Sequence, residues 1–139
     1  MTLQVLYPAA RRLASTVLAM GMMAGCSASP PESFDVSECA RADENDVVTL
    51  KAEDVKFDFP CIAAPANRAF TIHFSSLDGT DHNVAIYESA AKATEYLLGD
   101  TISFGGFIDY PVDPLAAGEN YFECTVHPEM HGPLYLVAS

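Results

Sequence analysis

Near its C-terminus the chain reads Tyr121-Phe122-Glu123-Cys124-Thr125-Val126-His127-Pro128-Glu129-Met130-His131-Gly132, followed by the apolar tail Pro133 to Val137. A thiol, an imidazole and a thioether, on Cys124, His127 and Met130, fall within seven positions. With an apolar segment on either side they belong at the tip of a turn, where one soft metal ion could touch all three. Two imidazole nitrogens and a thiolate in a plane, with a distant thioether on the axis, are the donor set of copper sites that pass single electrons. A second imidazole must come from elsewhere, and Thr80-Asp81-His82-Asn83-Val84-Ala85-Ile86-Tyr87 offers one. The candidate ligand set is therefore His82, Cys124, His127 and Met130. His131, next to Met130, is the rival axial ligand. A third imidazole would favour Cu(II) and weaken the blue character, which argues for Met130.

These side chains need a rigid frame, and the sequence reads as a series of short strands. Val47 to Leu50 and Val55 to Phe59 alternate and are rich in β-formers, with Pro60 ending the second. Ala69 to Phe74 repeats the two-residue period, placing Phe70, Ile72 and Phe74 on one face and Thr71 and His73 on the other. His73 is thus a solvent-face residue and stands outside the ligand set. Leu77 to Asp81 contains the Asp-Gly of a turn, after which His82 opens a strand with Val84 and Ile86 on its own face. Glu88 to Leu98 is permissive for one or two helical turns, since Gly and Pro are absent until Gly99. Gly105-Gly106 through Tyr110 reads as a further short strand, with Pro111 and Pro114 suiting an edge or a connection. Leu115 to Gly118 then turns into the strand Tyr121 to Thr125 that delivers Cys124, and Pro133 to Val137 returns as the last strand. No internal repeat is visible.

The Cys-x2-His-x2-Met spacing, the upstream His82-Asn83-Val84 and the phrase Ala117-Gly118-Glu119-Asn120-Tyr121-Phe122-Glu123-Cys124 resemble a cupredoxin, the type 1 blue copper family. The ligand loop is most like that of amicyanin and plastocyanin-type members. The resemblance covers roughly Val47 to Val137, and nothing before Cys39 contributes to it. It implies an all-β fold, a Greek-key β-sandwich of about seven or eight strands with one short helical excursion. It also implies one type 1 copper ion, with Cys124 as the strong bond and electronic route, His82 and His127 completing the plane, and Met130 tuning the potential from the axis. By the same resemblance the Asn83 side chain should hydrogen-bond across to Thr125 and tie the two ligand segments together. The edge of His127 should emerge through an apolar patch where partners dock.

The chain has 139 residues, room for one domain. Its formal charge is −12, and all nineteen acids lie after residue 31, so loss of a leader carrying Arg11 and Arg12 makes the remainder more acidic still. Nucleic acid is excluded as a natural partner. Arg11 and Arg12 precede the apolar run Leu13 to Met23, which is too short to span a bilayer and has the length of a signal core. Met23-Ala24-Gly25-Cys26 resembles a bacterial lipobox in which Cys26 becomes the lipidated N-terminus, with Met where Leu is usual. The other reading is ordinary cleavage nearby, with Cys26 lost or left free. The expected organisation is a lipoprotein-type signal peptide over 1–25, a flexible tether over 26–38 and the domain over 39–139. With Cys26 assigned to lipid and Cys124 to metal, Cys39 and Cys61 form the remaining pair, and export makes their oxidation plausible. A second metal site on those two cysteines would lack any neighbouring histidine.

The function expected from this reading is a membrane-tethered, monomeric, one-electron copper carrier, exported to the outer face of the cytoplasmic membrane or the periplasm. It would not be an enzyme, because four protein ligands leave no open position for substrate. Its partners would be redox proteins, with the acidic surface suiting a basic docking face. The alternative is an extracytoplasmic protein that stores or delivers copper without electron transfer. Delivery sites use Met- and His-rich tracts or paired thiols, whereas this loop offers one of each donor.

Overall fold

The computed structural model describes residues 33–138. The signal segment, Cys26 and the first part of the expected tether lie outside the described residues. Two sheets face each other. In β2 (Val47–Glu53) and β5 (Phe70–Ser76) every second side chain turns inward: Val48, Leu50 and Ala52 from one, Phe70, Ile72 and Phe74 from the other. The two strands lie parallel, with Leu50 beside Phe74. β3 (Lys56–Phe57) and β8 (Phe107–Val112) complete this sheet in the order β3-β2-β5-β8. Pro111 lies in β8, an edge strand, where its missing donor does least harm.

The second sheet contains β1 (Ala40–Arg41), β4 (Ile62–Pro65), β6 (Ala85–Tyr87), β7 (Glu95–Leu98), β9 (Gly118–Glu123) and β10 (His131–Val137), in the order β1-β4-β10-β9-β6-β7. Leu50, Ile72 and Phe74 from the first sheet share one core with Ile62, Ile86, Phe122, Leu134 and Leu136 from the second. Burying each such side chain contributes about 1.5–3 kcal/mol, which makes this layer the main source of rigidity. Successive strands change sheets at β1–β2, β3–β4, β4–β5, β5–β6, β7–β8 and β8–β9, as a Greek-key sandwich requires.

The architecture is the expected all-β sandwich, with ten strands instead of seven or eight, two of which (β1 and β3) are only two residues long. The helical excursion expected over Glu88 to Leu98 is a correction, since the described residues contain no helix. The Ser89 hydroxyl accepts the Ala91 amide, Lys92 adopts a left-handed backbone (φ 55°), and the chain then pairs with β6 as strand β7. Left-handed backbone at Lys92 stops a right-handed helix whatever the propensity of its alanines. The strand expected over Val55 to Phe59 shrinks to Lys56–Phe57 because Asp54 and Val55 (φ 52° and 57°) form the two-residue turn between β2 and β3.

Cys39 and Cys61 are joined by a disulfide, which fastens the start of β1 to the start of β4. Val36, Ala63 and Tyr135 pack around it, and Phe34 stacks on Tyr135 at 4.7 Å between ring centroids. Residues 34 and 36, in the last part of the expected tether, therefore lie against the second sheet.

Candidate metal centre

Three chain segments meet at one end of the sandwich. β5 runs up to it and hands over to the turn holding His82; β9 ends there with Cys124 following; β10 begins there, just after Met130. The ring nitrogens of His82 and His127 and the sulfur of Cys124 all lie within 4.8 Å of one another. Cys124 Sγ is 3.8 Å from His127 Nδ1, and the two imidazole centroids are 5.0 Å apart. Cys124 and His82 are fully buried, whereas His127 is only half-buried.

His82 was expected to open a strand; it sits instead in an isolated bridge three residues before β6. Its amide donates to Ile102 O and its carbonyl accepts from Ile102 N–H, each at 2.9 Å. The burial of every residue from His82 to Tyr87 explains why the expected alternation fails there. The segment carrying Cys124, His127 and Met130 closes on itself. The Met130 amide donates to His127 O (2.8 Å) and the Cys124 amide to Met130 O (2.9 Å), giving a tight loop whose spacing holds the side chains together. Met130 is 3% exposed and belongs to the same core as Cys124. His131 points elsewhere: it is exposed and stacks on Tyr121 at 5.4 Å.

Asn83 and Thr125 join the two ligand segments. The Thr125 amide donates to Asn83 Oδ1 (2.8 Å), and Asn83 Nδ2 donates to Thr125 Oγ1 and to Gly99 O, both at 2.9 Å. Asn83 is 2% exposed, so these bonds replace water it cannot reach. Sequence reasoning missed Asp78. Its Oδ1 lies 3.2 Å from His82 Nε2 and accepts the Thr80 amide at 2.9 Å, while Oδ2 accepts the Asp54 amide at 2.7 Å. The Thr80 and Asp54 amides, with a smaller contribution from His82, hold its carboxyl below the usual carboxylate range. The Asp-Gly pair had signalled only a turn. Glu123, immediately before Cys124, is also buried, and Lys92 from the loop before β7 satisfies it at 2.6–2.7 Å. His73 lies away from the cluster, paired with Asp109 at 2.6 Å on the outer face of the first sheet.

The donors fit a metal ion on a specific ground. With Nε2 facing Asp78, His82 Nδ1 is the one buried side-chain nitrogen or oxygen among the described residues without a hydrogen-bond partner. Leaving such an atom unsatisfied costs about 1–3 kcal/mol. A metal taking that lone pair removes the cost, and two imidazoles with a buried thiol make the set a soft one.

Comparison with known proteins agrees with this fold. A family model described as the cupredoxin-like domain matches residues 16–135. Among solved structures, reduced auracyanin from the photosynthetic bacterium Roseiflexus castenholzii superposes with a TM-score of 0.60 at 16% identity, covering 66% of this chain and 97% of that one. Auracyanin A, a "blue" copper protein from Chloroflexus aurantiacus, gives 0.58 at 16% identity over 66% and 98%. Amicyanin from Paracoccus versutus gives 0.51 at 22% identity over 66% and 82%. A search of curated protein sequences gave no match.

Proposed function

The chain belongs to the cupredoxin-like domain family, and from that premise we propose that it is a one-electron carrier built around a single type 1 copper ion. His82, Cys124 and His127 would hold the ion, with Met130 as the weak fourth donor. The observation that carries this reading is the convergence of two imidazoles and a buried thiol within 4.8 Å, one imidazole nitrogen being bare and sealed from water. A copper ion bound there supplies a couple that gains and loses one electron. The residues supply the rest. The sandwich fixes His82 and the short loop fixes Cys124, so little rearranges between oxidation states. Full burial of Cys124 keeps solvent and oxidants from the thiol. His127 alone of the three reaches the surface, beside the exposed Val126, and is the natural point of electron entry and exit.

The setting we infer is extracytoplasmic. Residues 1–25 act as a lipoprotein signal, Cys26 carries the lipid, and the stretch up to residue 38 links it to the domain. The Cys39–Cys61 disulfide supports an oxidising compartment. The protein works as a monomer that meets redox proteins in transient encounters, and its charge of −12 suits partners with a basic face.

Loading the full chain with Cu(II) tests this. The carrier reading requires an intense thiolate-to-copper absorption that bleaches on reduction, returns on oxidation and is lost in Cys124→Ser. Electron exchange with a basic redox protein should slow as ionic strength rises. A colourless protein that nevertheless retains copper would replace the carrier reading with storage or delivery.

A further inference from the structure

We propose that Asp78 is a positioning residue for the metal centre: it fixes which nitrogen of His82 faces Cys124 and His127, and ties that imidazole to the β2–β3 turn beside Met130. The inference deepens the copper reading and rests on it only where copper itself is measured.

An ionised Asp accepts hydrogen bonds and donates none. Both oxygens of Asp78 already accept backbone amides, from Thr80 and from Asp54, so the side chain is held in place before His82 is considered. Its backbone carbonyl also accepts the Phe104 amide at 2.7 Å. A carboxylate fixed 3.2 Å from His82 Nε2 requires the proton of the neutral ring to sit on Nε2. Nδ1 is then left with a free lone pair, and it is this nitrogen that lacks any partner in a fully buried ring. The protein therefore selects the coordinating tautomer without help from a metal. A negative charge against the far side of the ring also makes Nδ1 a stronger donor, which favours the higher oxidation state.

Asp54 and Val55 both have left-handed backbone, a costly state for a β-branched residue such as Val55. The bond from the Asp54 amide to Asp78 Oδ2 holds the turn in place. Val55 packs against the core that contains Met130, and the two residues line one surface cleft with Phe57 and Pro60. One carboxylate thus links the His82 ring on one side of the site to the wall next to Met130 on the other.

Nitrogen NMR of the metal-free full chain, labelled at histidine, tests this directly. Two-bond proton–nitrogen correlations should show His82 as a single Nε2–H tautomer. In Asp78→Ala the ring should populate both tautomers, and the dissociation constant for copper should rise about 10–100-fold. Asp78→Asn, with its amide oxygen toward Thr80 and His82, keeps that acceptor and the side chain's shape while removing the charge, and gives up the acceptor of the Asp54 amide. It should retain the Nε2–H tautomer yet raise the reduction potential of the copper-loaded protein. An Nδ1–H ring in the unsubstituted protein overturns the proposal without any variant, as does an unchanged tautomer and affinity in Asp78→Ala. Should Asp78→Ala fail to fold, an unchanged potential in Asp78→Asn overturns the proposed effect of the charge. A protein that shows the tautomer change but no thiolate-to-copper band supports the role of Asp78 and sinks the electron-carrier reading.

Discussion

Thr125 lies 42 residues beyond Asn83, yet its amide donates to Asn83 Oδ1 at 2.8 Å and its hydroxyl meets the Asn83 amide group at 2.9 Å. These bonds add a side-chain link between the segment that carries His82 and the one that carries Cys124, beyond the β6–β9 pairing. Asn83→Ala should therefore cost about 1–3 kcal/mol of stability, because it strands the buried Gly99 carbonyl as well as the Thr125 amide. Copper affinity should fall about 10-fold or more. Urea unfolding of the metal-free chain and a copper competition titration check the two effects separately.

Met130 and His131 are neighbours with opposite fates, one 3% exposed in the core and the other exposed and stacked on Tyr121. Met130→Leu should shift the copper absorption bands and raise the reduction potential. His131→Ala should leave both nearly unchanged. A marked change on removal of His131 would make that histidine the axial ligand. Spectra and potentials of the two copper-loaded variants decide the matter.

Gly132 is a packing requirement of the same loop. A methyl group there would stand 2.2 Å from the Pro60 carbonyl oxygen and 3.0 Å from the Phe122 ring, and the first of these is backbone that cannot swing away. Gly132→Ala should destabilise the fold by about 1–3 kcal/mol. Because Gly132 lies two residues from Met130, it should also perturb the copper spectrum. Thermal unfolding combined with absorption measurements would register both.

Much of this was legible in the sequence, for physical reasons that differ from place to place. Cys124, His127 and Met130 could be read together because a tight loop forces near neighbours in sequence to be neighbours in space. Phe70, Ile72 and Phe74 could be read because a strand with one wet face must alternate. Asp78 could not, since an Asp in an Asp-Gly turn carries the same local signal whether or not its carboxylate reaches a histidine. The helix expected after Glu88 failed because alanine propensity is weak beside the pairing that β6 offers β7 and the ion pair that draws Lys92 toward Glu123. Two-residue strands such as β1 leave no periodic trace at all.

Tyr110 gives the fold an alkaline limit. It is 3% exposed and donates its hydroxyl to Asp100 O at 2.5 Å. Burial, with Asp100 adding to it, pushes its pKa from 10.0 up to about 12. The native state therefore keeps a proton that the unfolded chain gives up. The contribution is fully present below pH 10 and is lost as pH rises toward about 12. Tyr110→Phe should flatten that part of the stability profile while retaining the ring that faces Gly99. Unfolding measured from about pH 9 to 12, alongside tyrosinate absorbance, tests the sign and the window.

Phe34 on Tyr135 and Val36 on the Cys39–Cys61 bond have a mechanical consequence. Tension applied upstream of Phe34 enters at the seam between β4 and β10, where a covalent staple and a parallel ladder resist it together. Load entering there is shared by the disulfide and by the β4–β10 ladder, whose first pair, Leu134 beside Ile62, stands four residues beyond Met130.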